Sequence, residues 1–337
     1  MRSFILFFLF TLQIIGSQAQ PTKSVFDCIN EAPGVPTIKI ESTWSKLIGQ
    51  KMDEAYIPAK IELPGPDGNS LNMDVKIRAR GMMRKEVCFF PPIKVDFKRN
   101  DLLKQNLDSA INKLKVVFQC RTGIVNTEYL IKEKLCYDLY KIINPDVNVQ
   151  VKQVKYDCIE NGKTKYSLDG LIVEDEKVLA TRYKGRIINA GKVMVGSLDK
   201  DTYQRMAVFQ YMIGNTDWSI PNKHNIEMIK VPNVTKVIPI AYDFDYAGLV
   251  GTPYAVPYET LPIKSVFERY YMGHGVTEED AVALGKYFLE KKPALLKAVD
   301  DVQGLDEKEK NNIKKYLAPF FDILDNEKQV KRTFAQQ

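Results

Sequence analysis

Apolar and polar residues alternate along most of the first half of the chain and recur at helical spacing along much of the second. VPTIKIES, YIPAKIEL and NMDVKIRAR read as strands, and the turn formers of PGPDGNS join the last two into a hairpin. PIKVDFK and KLKVVFQC continue the series. VNVQVKQVKYDCIENGKTKYSLDGLIVEDE alternates on both sides of Asn161-Gly162, which predicts a second hairpin. Before it, NTEYLIKEKLCYDLYKIINP places Leu130, Ile131, Leu135, Leu139 and Ile142 on one helical face. Asn126 or Thr127 is the expected cap of that helix and Asn144-Pro145 its stop.

Beyond residue 180 the period changes. Tyr203, Met206, Ala207, Phe209, Gln210, Tyr211 and Ile213 recur at helical spacing, and Gly214 is an expected stop. A polar loop, NTDWSIPNKHN, leads to two short strands, NIEMIKV and KVIPIAYDFD, separated by a turn. An aromatic and Pro-rich stretch follows. Two helices then begin at Thr277 with Asp280, and at Asp306 with Glu309, the spacing of a capping box. The expected organisation is a strand-rich part over 20–180 with one major helix, and a mainly helical part over 181–337 that carries the polar loop.

Composition changes this picture little. An apolar share of 45% and a charged share of 27% are those of a globular chain, and the formal charge of +6 is spread along it. Neither a nucleic-acid arm nor a second apolar segment long enough for a membrane is present in the sequence. The first residues do matter. MRSFILFFLFTLQIIGSQAQ has a basic start, an apolar run and a small-residue finish, the pattern of a secretory signal over 1–19 cleaved after Ala19. The expected location is therefore secreted, or periplasmic or cell envelope. Export permits disulfides among Cys28, Cys88, Cys120, Cys136 and Cys158, and the odd number leaves at least one out. One or two disulfides and none stay equally open.

The candidate chemistry lies in 207–248. Asp243 and Asp245 stand at i,i+2 at a strand end, where two carboxylates on one face call for a cation. Asp217 precedes Asn222 and Asn225 in the loop, so a carboxylate able to orient or deprotonate a hydroxyl sits near amide oxygens able to ligate a metal. Upstream, Arg78, Arg80 and Gly81, with Arg84 and Lys85 beyond them, form a cation-rich Gly loop suited to phosphates. G-x-S-x-G, H-E-x-x-H and G-x-G-x-x-G are all missing from the sequence, which argues against the hydrolase, zinc-protease and dinucleotide classes that carry them.

IRARG (77–81), PIKVDFK (92–98), the helix from Glu128, GNTDWSIPNKHN (214–225) and AYDFD (241–245) together resemble the spore-coat-H-type (CotH) kinase-like proteins. The resemblance implies an α+β, bilobal protein-kinase-like fold with a strand-rich N-terminal lobe and a mainly helical C-terminal lobe. It implies a secreted phosphotransferase that uses ATP with Mg2+ or Mn2+ to phosphorylate a protein or small hydroxyl acceptor. Asp217 would be the base and Asn222 the second metal ligand, with Asn225 its rival. Asp243 would be the main metal ligand and Asp245 an accessory one. Lys94 or Lys98 would contact the phosphates and pair with Glu128 or Glu133, with Lys113 and Lys115 on the next strand as further candidates. Arg78, Arg80 and Gly81 would line the triphosphate. Two alternatives stand beside this reading: an inactive module that binds a protein or an envelope glycan, and a metal-dependent hydrolase.

Overall fold

The computed structural model describes residues 23–189 and 191–335. The expected signal at 1–19 lies outside the described residues. In chain order the elements are α1 (Val25–Glu31), β1 (Thr37–Ser42), α2 (Trp44–Gly49), β2 (Ile57–Pro64), β3 (Ser70–Ala79), α3 (Met83–Val87), β4 (Ile93–Phe97), α4 (Arg99–Lys104), β5 (Lys113–Phe118), α5 (Ile124–Ile143), β6 (Val151–Glu160) and β7 (Lys163–Val173). They continue as α6 (Glu176–Arg182), β8 (Arg186–Ile187), α7 (Lys200–Ile213), β9 (Ile226–Lys230), β10 (Ile238–Ala241), α8 (Glu278–Asp301), α9 (Glu307–Leu324) and α10 (Glu327–Phe334).

The first seven strands close into a barrel of order β1-β2-β3-β4-β5-β7-β6. All neighbours are antiparallel except β1 and β6, which pair in parallel from Thr37 opposite Lys155 to Glu41 opposite Ile159. This corrects the expectation of a bilobal protein-kinase-like fold: the strand-rich part is a closed mixed barrel, and the helices gather mostly at the C-terminal end. The physical reason is the closing pair. Closure leaves no strand edge exposed, yet β1 and β6 are joined by no turn. Alternation along either strand is equally compatible with an open sheet.

Alternation does fix which face turns inward. Ile38 and Ile40, Ile61, Val75 and Ile77, Ile93 and Val95, Val116 and Phe118, and Val154 and Tyr156 fill the barrel. Gly170 on β7 has to lack a side chain, because a Cβ there would stand 2.3 Å from the Tyr156 ring and 2.7 Å from the Val117 carbonyl.

α5 couples the barrel to the rest, packing on β6 and β7 on one side and on α7 and α8 on the other. It begins at Ile124 behind Gly123, without a side-chain cap. The hydroxyl of Thr127 goes instead to Gln119 and Asp169. A second core gathers α5, α7, α8 and α9 around Phe209, Phe244, Phe288 and Phe320. The capping boxes at Ser24 and Thr277, and the single caps at Asp199 and Asp306, start their helices. β8, β9 and β10 form a separate antiparallel sheet. Cys88 and Cys120 are disulfide-bonded, while Cys28, Cys136 and Cys158 are free and buried. Among the described residues no helix is long and apolar enough to cross a membrane.

Candidate functional site

Helix α5 sets the geometry of the site. Glu133, Tyr137 and Tyr140 follow at i, i+4 and i+7 and so share one face. Tyr140 accepts the amide N–H of Ala241 at 3.3 Å and Tyr137 accepts that of Asp243 at 2.9 Å. Phe244 packs edge-on against Tyr137 and beside Phe209. The chain leaving β10 is thereby pinned under α5. β10 stops at Ala241, and Asp243 is left-handed with φ of 60°. The two carboxylates therefore occupy a turn, and not one face of a continuing strand as alternation predicts. Asp tolerates this backbone better than most residues, and such positions gather at functional sites.

Arg84 reaches this turn from α3. Its guanidinium is ion-paired with Glu133, donates to Asp245 Oδ2 at 2.8 Å and donates to the Tyr254 hydroxyl at 3.0 Å. Tyr254 in turn donates to Asp245 at 2.9 Å. Glu133 is only 1% exposed and Asp245 only 6%, so both depend on Arg84 for compensation. Asp243 is the third carboxylate of the group. Burial, then the charges of Asp245 and Glu133, push it up to about 7, although Arg84 and Arg80 pull it back. Three carboxylates crowd around the Arg84 guanidinium, with Arg80 nearby, and Asp243 relieves part of the negative charge by retaining its proton toward neutral pH.

A small cavity of about 30 Å³ lies beside Asp243, with Arg80, Lys115, Glu133, Tyr137, Glu176 and Tyr242 among its lining residues. Lys115 is held by Glu176 at 2.7 Å and lies 3.6 Å from Asp175. Arg78, Lys94 and Lys115 are direct cross-strand partners on β3, β4 and β5. Like charges in such a row repel. Arg78 is neutralised by Glu54, whereas Lys94 has no ion pair among the described residues.

The polar loop makes the second half of the site. Gly214 ends α7 in a left-handed conformation, and a Cβ there would meet the Tyr316 hydroxyl at 2.1 Å. Asn215 then accepts the Asp217 amide N–H at 3.0 Å. The Asp217 carboxylate accepts from Tyr258 at 2.6 Å and from Asn225 at 2.9 Å, and shares a 2.9 Å hydrogen bond with His224 Nε2. Burial raises this carboxyl, but the bonds from His224 and Tyr258 outweigh burial and hold it below the usual range. The same contact raises His224. Asn225 also donates to the Asp217 carbonyl at 2.8 Å, and its own carbonyl accepts the Tyr242 N–H at 3.1 Å. The register of β9 on β10, Ile226 opposite Ala241, brings Asn225 opposite Tyr242 and one residue from Asp243.

The structure thus gathers Glu133, Asp243, Asp245 and Arg80 at one end of the site, and Asp217 with Asn225 at the other. Asn222 is exposed, with its backbone N–H 3.4 Å from Ser219 Oγ, and it lines a separate cavity. Glu128 lies more than a turn before Glu133 on α5 and makes no ion pair among the described residues. Gly81, at φ of 86°, is exposed with open space around it. Arg78 and Lys85 both pair with Glu54, apart from the acidic turn. Lys98 is exposed at the start of α4. Pattern alone places Arg84 in a loop suited to phosphates and not against Glu133 and Asp245, and it does not single out Tyr254 or Tyr258. Arg84 sits in a surface-like sequence, and the two tyrosines sit in an irregular stretch.

No protein-family model matches the chain, and no curated protein matches it. What the site can do is carried by its chemistry. Among the described residues no three His, Cys, Asp or Glu side chains form a preassembled metal cage. The donor types do suit a hard divalent cation. Asp243 and Asp245 offer carboxylate oxygens, and Asn225, having turned its Nδ2 to Asp217, keeps Oδ1 as its acceptor end.

Proposed function

We propose that the protein is a phosphotransferase that moves the terminal phosphoryl group of a nucleoside triphosphate, with Mg2+ or Mn2+, to a hydroxyl. The observation that carries this reading is the crowding of three carboxylates around Arg84, set beside a cavity that carries Arg80 and Lys115. A divalent cation relieves the crowding, and the two basic side chains complement phosphate oxygens. The likeness of GNTDWSIPNKHN and AYDFD to the CotH proteins supports the same reading.

In this account Asp243, Asp245 and Asn225 hold the cation. The cation supplies charge neutralisation on the phosphates when bound. Arg80 and Lys115 bind phosphate oxygens, Lys115 exchanging Glu176 for them. The present volume of the cavity is far below that of a nucleotide, so binding there requires its lining side chains to move. Asp217 accepts the proton of the attacking hydroxyl, with Asn225 and His224 fixing its orientation. Glu133 acts by positioning Arg84, which in turn orients Asp245.

Thermal unfolding with ATP and Mg2+ or Mn2+ tests the proposal. A ligand present at a hundred times its dissociation constant stabilises the native state by about 2.7 kcal/mol. A raised melting temperature that needs both nucleotide and metal is the expected result. No shift with either metal counts against the reading.

A further inference from the structure

The segment that follows Asp245 does not leave the site. It returns over it, and two of its tyrosines reach the two halves. Tyr254 is held between Arg84 and Asp245. Tyr258 is half in solvent, with 52% of its surface exposed, yet its hydroxyl points inward to Asp217 Oδ1 at 2.6 Å. A base acting on a hydroxyl needs that hydroxyl within about 2.6–3.2 Å. Tyr258 already meets the requirement. Tyr254 does not, since its hydroxyl is spent on Arg84 and Asp245. Tyr246 packs against Tyr254 with the rings tilted, their centroids 5.8 Å apart.

Resting on the phosphotransferase reading, we propose that Tyr258 is a phosphoryl acceptor of its own site, modified within the same molecule. In the step, Tyr258 Oη forms a bond to the terminal phosphorus of the nucleoside triphosphate. The bond from that phosphorus to the bridging oxygen breaks, and the nucleoside diphosphate leaves with the electron pair. The phenolic proton passes to Asp217. No oxidant or further reactant is needed.

The product changes the segment that carries it. A phosphotyrosine bears a charge of about −1.5 to −2 near neutral pH. Placed against the Asp217 carboxylate it repels, where the phenol had donated a hydrogen bond. Beside Tyr258 lies a cavity of about 560 Å³ lined by Tyr203, Trp218, Ile220, Leu261, Met272 and His274, among others. Loss of the Tyr258 contact frees Asp217 toward this largely apolar space, where a second hydroxyl-bearing molecule can enter. Self-modification would therefore clear the acceptor position.

The test starts from protein treated with a phosphatase, then freed of it and incubated with ATP and Mg2+ or Mn2+. Phosphate is located by peptide mass mapping, and nucleotide binding is read separately by thermal unfolding. The expected result is one phosphoryl group on Tyr258, formed at a fractional rate that does not change with protein concentration. Tyr258→Phe should keep the nucleotide-dependent rise in melting temperature and lose the modification, and Asp217→Asn should lose the modification too. A melting shift with no phosphate on Tyr258, or with phosphate on Ser219 or Thr260 at the same cavity, overturns this inference and leaves the phosphotransferase reading standing. So does a rate proportional to protein concentration. Absence of both shift and phosphate overturns the two together.

Discussion

Arg84 and Glu133 form an ion pair that ties the short helix α3 to the middle of α5, and Asp245 shares the same guanidinium at 2.8 Å. Glu133 is almost wholly buried, and burial would by itself push its carboxyl up. Arg84 stays cationic there because Glu133, Tyr254, Asp245 and Asp243 surround it and offset its own burial. Removing one partner of such a group strands the others without compensation. Arg84→Met should destabilise the fold by about 3–5 kcal/mol, measured by urea unfolding. A loss below about 1 kcal/mol would show that the group behaves as a solvated surface pair.

Asp243 gives a pH dependence of unusual sign. Its carboxyl is raised to about 7 in the folded chain from an ordinary value of 3.8. Between those values the unfolded chain releases the proton and the folded chain retains it. The contribution of Asp243 to stability is therefore greatest below about pH 4, falls as pH rises toward 7, and is constant above. Asp243→Asn should remove this slope and raise stability at neutral pH by about 1–3 kcal/mol. Denaturant midpoints of both proteins between pH 4 and 8 provide the check; parallel curves would contradict the account.

Asn225 and Asn222 separate in their expected effects. Asn225 is buried, left-handed at φ of 54°, and bonded twice to Asp217, whereas Asn222 faces solvent. Asn225→Ala should abolish the metal-dependent rise in melting temperature. Asn222→Ala should preserve it and change stability by no more than about 0.5 kcal/mol. The reverse pattern would move the metal ligand back to Asn222.

The Cys88–Cys120 disulfide ties the end of α3 to the end of β5, across a sequence separation of 32. It restrains the segment that delivers Arg84. Replacing both cysteines by serine should cost about 2–4 kcal/mol, read as a lowered denaturant midpoint. The paired replacement should also weaken nucleotide-dependent stabilisation, because Arg84 then holds Asp245 less firmly. Unchanged nucleotide response at reduced stability would disconnect the disulfide from the site.

Local pattern made much of the secondary structure legible. The Asn161-Gly162 turn, the apolar face from Leu130 to Ile142 and the cap of Thr277 with Asp280 are each encoded by residues a few positions apart. Barrel closure was not legible, since the parallel pairing of Thr37–Glu41 with Lys155–Ile159 has no turn to announce it. The acidic turn was visible as Asp243 and Asp245. Its counter-charge was hidden, because nothing in MMRKE distinguishes Arg84 from an exposed loop cation. Choosing Asn225 over Asn222 needs the register of β9 on β10. Choosing Glu133 over Glu128 needs the rotation of α5. Tyr258 lies in a stretch without period, and only the folded chain shows its hydroxyl on Asp217.

Calorimetric titration of a non-hydrolysable ATP analogue with Mg2+ or Mn2+ into the unaltered protein, Asp243→Ala and Lys115→Ala tests for the cation-dependent nucleotide site itself. Saturable binding of one nucleotide that requires the cation is expected, lost in Asp243→Ala and weakened in Lys115→Ala, with both variants still unfolding cooperatively. Absence of binding to the unaltered protein with either cation would contradict the account, as would equal affinity in folded Asp243→Ala.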